Sequence, residues 1–239
     1  MRYAIIAAGE GSRLSQEGIR EPKPLVRIHG EPLVDRLLRI FLRYDAEEIV
    51  VICNDRSPLV SEHLESIREA GLDGASVPLR PVVKSTPSSM HSFYEISKYL
   101  EDEPFILTTV DTVFRNDEFG DYLEKFRTAV SEGFDGLMGV TDYVDDECPL
   151  YVELDKEMDI WGFHDDNVPG CRTVSGGIYG LTPAVIPVLH DCVRRGESRM
   201  RNFQRALIGH GMKLRAYPFS KVLDIDHASD IKKAEEFLR

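Results

Sequence analysis

The sequence lacks an excess of positive charge and also lacks long apolar runs. Each absence excludes a class of binding partner. Its 239 residues carry 29 Lys and Arg against 41 Asp and Glu, a formal net charge of −12. A chain this acidic repels the phosphates of nucleic acid and of anionic membranes. No run approaches the roughly eighteen apolar residues of a membrane span, and the first apolar run is too short for a signal-peptide core. We therefore expect no nucleic acid partner, no membrane partner and a location in the cytoplasm.

Clustered cysteines and flexible linkers are also absent. The four cysteines are far apart and form neither a C-x-x-C pair typical of zinc nor a dense disulfide pattern: Cys53, Cys148, Cys171 and Cys192. No internal repeat and no Gly/Pro/Ser-rich linker divides the chain. A chain of this length buries a sizeable core without disulfides or a structural metal. We predict a single domain over residues 1–239 with reduced thiols.

Apolar strand patterns alternate with amphipathic helix patterns over residues 1–132. Strand patterns cover residues 3–8, 48–54, 79–83 and 104–111. Such alternation predicts right-handed crossovers and a mostly parallel sheet. From residue 133 short β-rich runs predominate, which predicts a mixed sheet or a flap, and a last helix follows Asp226. The predicted fold is a single three-layer α/β/α domain with a mostly parallel mixed sheet.

The stretch IIAAGEGSRL (5–14) is a buried strand pattern that breaks at Gly9 and Gly11. A dinucleotide fingerprint would need glycine in place of Leu14, and a Walker A loop would need Lys and then Ser or Thr directly after Gly11. What remains is a glycine turn with outward backbone N–H groups, and with Arg13 and Lys23 able to reach one anion. A polyphosphate fits this description. On spacing alone the alternative stays open, namely that the glycines only turn the chain and both cations are solvated surface charges.

Two acidic positions stand out later in the chain. Asp111 ends the strand pattern 104–111, and open parallel sheets bind ligands at the carboxyl ends of their strands. Its alternative role is to cap the turn before Thr112. Asp224 and Asp226 form a D-I-D motif before the last helix, and alternate residues of a strand face the same way, so both carboxylates could point into one site.

A polar segment, KSTPSSMHSF (84–93), opens a predicted helix. Ser88 or Ser89 can cap that helix, and the alternative is a contact with a nucleotide. Another polar cluster, His164, Asp165 and Asp166, is assigned to a turn, because adjacent residues of an extended segment point to opposite faces and suit a metal poorly.

The order of these parts resembles the nucleotidyltransferase superfamily with the glycosyltransferase A-type, Rossmann-like fold, which includes sugar-phosphate, choline-phosphate and MobA-like NTP transferases. Its signature A-A-G-x-G-[ST]-R, followed by P-K-x-L, corresponds to residues 7–13 and 22–25. The resemblance implies that residues 1–132 bind the nucleotide and residues 133–239 the acceptor. It assigns catalysis to Arg13 and Lys23, so we expect Lys23→Ala to fold normally and to lose most turnover.

The resemblance also implies a set of binding residues. Mg²⁺ would be bound by Asp111 and Asp226, with Asp224 as a supporting group or as the alternative second ligand. The acceptor would be contacted by Arg172, Gly176 and Gly177. The nucleotide would be contacted by Ala7, Ala8, Gly9, Glu10, Gly11, Ser12, Thr86, Ser88 and Ser89. The acceptor-binding G-F strand departs from the family pattern, because W-G-F-H-D-D (161–166) replaces its Glu-Lys-Pro.

The activity implied by the resemblance is transfer of a nucleoside monophosphate from an NTP to a phosphorylated acceptor, with release of pyrophosphate. The acceptor would be a sugar 1-phosphate or a phosphorylated alcohol, with a molybdopterin-type ligand as a third option. Two alternatives stay open: a glycosyltransferase that uses the D-I-D motif to bind a nucleotide sugar, and a non-catalytic nucleotidyltransferase-like subunit. The expected partners are an NTP and a phosphorylated small molecule, and the choice between a monomer and a homodimer is left open.

Overall fold

The computed structural model describes residues 1–145 and 147–239. The strands are β1 (Arg2–Ala7), β2 (Arg27–Ile28), β3 (Glu31–Pro32), β4 (Glu48–Cys53), β5 (Leu79–Val83), β6 (Phe105–Thr109), β7 (Thr112–Val113), β8 (Gly136–Thr141), β9 (Tyr151–Leu154), β10 (Ile160–His164), β11 (Thr173–Leu181), β12 (Leu214–Pro218) and β13 (Leu223–Asp224). The helices are α1 (Ser12–Gln16), α2 (Leu33–Arg43), α3 (Pro58–Ala70), α4 (Ser89–Ser97), α5 (Asn116–Ser131), α6 (Ile186–Arg194), α7 (Met200–Gly209) and α8 (Ala228–Phe237). Single 3-10 turns cover Lys23–Leu25 and Pro183–Val185.

Within residues 1–145 and 147–239, nine strands form the central sheet. Strands β5, β4, β1 and β6 lie side by side and run parallel. Strand β11 pairs antiparallel with β6 and with β8, and β12 runs parallel to β8 at the far edge. The β9–β10 hairpin pairs with the first residues of β11. The short β-rich runs after residue 133 therefore extend the same sheet.

Helices cover both faces of this sheet because its central strands are apolar on both sides. In β1, Tyr3 and Ile5 belong to one apolar cluster, with α2, α3, α5 and α8. Ala4 and Ile6 belong to a second cluster, with α4, α6 and α7. The predicted α/β fold with a mixed central sheet between helical layers is confirmed. Among the described residues, no helix combines the length and apolar character that a membrane span needs.

Two acidic residues lie outside the strands that the sequence predicts for them. Strand β6 ends at Thr109, and Asp111 occupies the turn between β6 and β7. Strand β13 ends at Asp224, so Asp226 lies in the connection to α8, where the alternation of a strand does not govern its direction.

Candidate active site

The glycine turn after β1 packs against the segment that carries Lys23. Gly11 has a φ of 62°, in the left-handed region that favours glycine, and it directly precedes α1. A Cβ atom on Gly11 would lie 3.0 Å from the Cβ of Lys23. The absence of a side chain at Gly11 therefore lets the Lys23 segment pack directly against the turn.

Lys23 is buried, with 9% of its side chain exposed. It begins a 3-10 turn and has Pro22 before it and Pro24 after it, and the amide of Leu25 donates to the carbonyl of Pro22 at 2.8 Å. Its ammonium group forms an ion pair with Asp111 and lies 2.6 Å from Oδ1 of Asp226. One cation thus holds two carboxylates from distant parts of the chain.

A small two-stranded sheet places the D-I-D motif beside Asp111. Strands β7 and β13 pair antiparallel, with Asp224 opposite Thr112. The amide of Ile225 donates to the backbone carbonyl of Asp111 at 3.1 Å. This pairing ties the turn after β6 to the connection before α8, so the two acidic elements meet at the carboxyl end of β6.

Lys23 and Asp111 hold each other in their charged forms. Burial by itself would lower the pKa of Lys23, but the charges of Asp111 and Asp226 outweigh it and raise that pKa. Burial by itself would raise the pKa of Asp111, and Lys23 outweighs it, so the pKa of Asp111 is lowered. Arg13, about half exposed, donates to Oδ2 of Asp226 at 2.8 Å. Both oxygens of Asp226 therefore accept from cations.

Asp226 is supported by residues that the sequence prediction missed. The carboxylate of Asp230 accepts from the amides of Asp226 and His227, at 3.2 and 2.8 Å. Glu17 accepts from the amide of Ala228 at 2.6 Å and contacts the His227 ring at 2.6 Å. Asp230 follows the N-cap of α8 at the capping-box spacing, a signal that could have identified it. Glu17 carries no such signal, because its partners lie more than 200 positions away.

A cavity of about 480 Å³ opens in front of the glycine turn. Of the residues predicted for the site, it is lined by Ala8, Gly9, Glu10, Gly11, Ser12, Arg13, Lys23, Thr86, Ser88, Ser89, Asp111 and Asp226. Ala7 is buried in β1 and does not line it. The structure thus brings the predicted phosphate loop and the predicted base-contacting loop to one cavity.

The loop before α4 contributes hydroxyl groups to this cavity. Ser88 is the N-cap residue of α4 but makes no side-chain capping bond. Its hydroxyl lies 2.9 Å from Nδ1 of His91 and accepts from the amide of Arg199 at 3.2 Å. Arg199 adopts a φ of 72°, rare for a residue with a side chain, and the sequence prediction did not include it.

A second cavity of about 250 Å³ lies beside the first. Gly176 and Asp224 line it, and Arg13 and Asp226 line both cavities. Gly177 lines neither: its φ of 70° falls at a register shift in β11, and a Cβ there would lie 2.7 Å from Oγ1 of Thr112. Arg172 is exposed just before β11 and lines neither cavity.

Asp111 and Asp226 have the donor chemistry of a magnesium site. Both direct carboxylate oxygens at one positive charge, the ammonium group of Lys23. Mg²⁺ prefers oxygen ligands, and usually takes one or two carboxylates while waters and phosphates complete its shell. Within residues 1–145 and 147–239, no group of three or more His, Cys, Asp or Glu side chains is arranged to hold a metal ion. The pair therefore fits a cation that takes its other ligands from water and substrate.

Comparison with known proteins gives a consistent assignment. Residues 3–151, more than half of the chain, match the MobA-like NTP transferase domain. The chain is 24% identical over 246 residues to the UTP–glucose-1-phosphate uridylyltransferase AglF of Haloferax volcanii, with 100% of this chain and 97% of that protein covered.

Solved structures share the fold. The inositol-1-phosphate CTP transferase from T. maritima superimposes with a TM-score of 0.75 at 19% identity, covering 100% of this chain and 97% of that chain. The CTP:phosphocholine cytidylyltransferase LicC from Streptococcus pneumoniae gives 0.73 at 16% identity, covering 100% and 99%. The predicted nucleotidyltransferase class is thereby confirmed: the chain belongs to the MobA-like NTP transferase family.

Proposed function

We propose that the protein transfers a nucleoside monophosphate from an NTP to a sugar phosphate or a phosphorylated alcohol and releases pyrophosphate. The observation that carries this proposal is the meeting of Arg13 and Asp226 at the boundary of two adjoining cavities. One cavity contains the glycine turn suited to a polyphosphate, and the other leaves room for an acceptor. AglF, named for glucose 1-phosphate, and LicC, named for phosphocholine, support these two acceptor classes.

The reaction would need no covalent enzyme intermediate. A phosphate oxygen of the acceptor attacks the α-phosphorus of the NTP, the bond to the bridging oxygen breaks, and pyrophosphate leaves with that electron pair. The protein's task is to position two anions that repel each other and to offset their charge. Arg13 would bind the β- and γ-phosphates, with the amides of residues 9–12, and Lys23 the α-phosphate or the acceptor phosphate.

Asp111 and Asp226 would hold Mg²⁺, which would offset charge on the α-phosphate. Asp224 lines the acceptor cavity, and its Oδ1 lies 3.4 Å from the hydroxyl of Thr112. Its place in the wall of the acceptor cavity favours a supporting role for Asp224. The ion pair of Lys23 with Asp111 and Asp226 supports the choice of those two carboxylates as ligands.

The cavities also support the proposed halves of the chain. Apart from Asp226, the nucleotide cavity is lined by residues from 1–132, and apart from Arg13, the acceptor cavity is lined by residues from 133–239. The cytoplasm remains the proposed location, which the buried thiols Cys53, Cys171 and Cys192 suit.

A pyrophosphate-release assay that crosses four NTPs with phosphorylated sugars and alcohols tests this function. We expect one NTP and one acceptor class to give turnover that Asp111→Asn largely removes. Release of a nucleoside diphosphate from a nucleotide sugar would instead favour the glycosyltransferase alternative. Nucleotide binding without turnover for any pair would favour the non-catalytic subunit.

A further inference from the structure

Both candidate metal ligands, Asp111 and Asp226, already form ion pairs with the protein's own cations. Lys23 lies between Asp111 and Asp226, and Arg13 holds the second oxygen of Asp226. Arg13 also lies 3.7 Å from Glu147, so two cations and three carboxylates form one connected group. Lys23 is also the most buried member of this group.

We propose that Lys23, with Arg13, acts as an internal counter-cation that closes the metal site until a nucleotide arrives. This inference rests on the proposed function, because it takes Asp111 and Asp226 as the metal ligands. It adds an order of binding to that function. Without nucleotide, the carboxylates of Asp111 and Asp226 are bound to Lys23 and Arg13. They become available to a divalent cation when Lys23 and Arg13 bind the phosphates of the nucleotide instead.

Charge balance is the physical reason. A divalent cation that enters alone brings two positive charges to carboxylates that already have cation partners, and it must separate a buried lysine from Asp111 and Asp226. Separating a buried ion pair without a replacement partner is strongly unfavourable. An NTP removes this obstacle, because its phosphate oxygens offer Lys23 and Arg13 charge-assisted hydrogen bonds of similar strength.

The geometry permits this exchange of partners. Lys23 and Arg13 line the same cavity as the glycine turn, so both already face the space assigned to the phosphates. Metal and nucleotide would then bind with positive coupling, and each would strengthen the other's binding by the same factor.

Binding of Mn²⁺ to the full chain without nucleotide tests the inference, with electron paramagnetic resonance reporting the free ion. We expect Lys23→Met, which keeps an apolar stem of similar length, to bind Mn²⁺ more tightly than the wild type. The gain should fall within the roughly 5–150-fold range typical of coupled sites. Lys125→Met, at an exposed position of α5, is the matched control and should bind as the wild type does. Adding Asp111→Asn to Lys23→Met should abolish the gain.

A second variant covers the case in which Lys23→Met does not fold. Arg13 is about half exposed and holds only one oxygen of Asp226, so Arg13→Gln should fold and give a smaller gain in the same direction. Equal Mn²⁺ affinity of the wild type and the folded variants would overturn the inference. The proposed function would still stand after that result if the wild type releases pyrophosphate. If the wild type releases no pyrophosphate, the proposed function is contradicted, whatever the Mn²⁺ affinities are.

Discussion

Lys23, for which we propose a role in binding phosphate, also forms ion pairs with two carboxylates of the fold. The expectation that Lys23→Ala folds normally treats the lysine as a surface charge, but its side chain is buried between two carboxylates. Removing it takes away the ion-pair partner of Asp111 and leaves Asp226 with Arg13. The structure therefore changes the expected outcome of this substitution.

We predict that Lys23→Ala lowers the free energy of unfolding by about 3–5 kcal/mol, the range for breaking a buried ion pair, and also removes most turnover. Urea denaturation and the pyrophosphate assay measure the two effects. Arg13→Ala is the comparison: its side chain is about half exposed, so we expect turnover to fall with little loss of stability. A Lys23→Ala protein as stable as the wild type would show that the ion pairs contribute nothing.

The three aspartates should differ in their effect on rate. Asp111→Asn and Asp226→Asn should each lower kcat about 10²–10³-fold, as does loss of one preorganised electrostatic contact. Asp224→Asn should cost at most about 10–100-fold, the range for a residue that supports a metal site. Titration of each variant with Mg²⁺ separates the roles. A severe Asp224→Asn with a mild Asp226→Asn would reverse the assignment of the second ligand.

At the scale of elements, the turn before α8 fixes the direction of Asp226. Asp230 accepts from the amides of Asp226 and His227, and Lys233 donates to Asp230 at 3.1 Å. We predict that Asp230→Asn lowers kcat by about 10–100-fold and raises the Mg²⁺ concentration needed for half-maximal rate. Lys232→Gln, at a neighbouring α8 position, is the control. An Asp230→Asn enzyme that is less stable but needs no more Mg²⁺ would limit Asp230 to capping the helix.

At the register shift in β11, Gly177 packs closely against Thr109 and Thr112, the residues on either side of the turn that contains Asp111. A Cβ on Gly177 would meet the hydroxyl of Thr112, which is itself held by Thr109 at 2.7 Å. We predict that Gly177→Ala costs about 1–2 kcal/mol for its positive φ and about 1–3 kcal/mol more for this contact.

Gly133→Ala is the matched control for Gly177→Ala. Gly133 has a φ of 85° with no atom within 4 Å of an added Cβ, so only the backbone cost should remain. Denaturation curves of both variants give the difference. Equal losses of stability would mean that the turn adapts to the extra methyl group.

At the scale of the whole molecule, Asp165 links the end of β10 to α7. Its carboxylate forms ion pairs with Arg201 at 2.5 Å and with Arg205 at 2.7 Å. The hydrogen bond from Arg205, and to a smaller extent that from Arg201, holds the pKa of Asp165 below its ordinary value. A lowered pKa in the folded protein means that the charged form stabilises the fold. That contribution is complete above about pH 3.8, the ordinary pKa, and is lost as the pH falls through the lowered value.

We predict that Asp165→Asn lowers the free energy of unfolding by less than about 1 kcal/mol at pH 7, because the pair is largely exposed. The difference from the wild type should shrink below pH 3.8 and also in concentrated salt at pH 7. Thermal unfolding over a pH series measures both trends. A difference that persists at low pH would show that Asp165 acts through its shape rather than its charge.

The amino-acid sequence by itself determined the local features of this protein. The alternation of apolar patterns identified the strands and helices, because periodicity reports which face of each element is buried. The glycine turn that we propose for the phosphates could be located from sequence because a strand, a glycine turn and a nearby cation are neighbours along the chain. The first glycine-rich turn and the buried strand before it needed no knowledge of the rest of the fold.

Only the tertiary structure decided how these parts combine. Asp226 meets Lys23 and Arg13 across 203 and 213 positions of sequence, and strand order brings such residues together. Burial of Lys23 depends on every segment packed around it, so the spacing of prolines could not reveal it. The separation of Arg172 from both cavities likewise follows from the course of β11. Contacts close in sequence are limited by backbone geometry, whereas contacts between distant segments are set by the packing of the whole sheet and its helices.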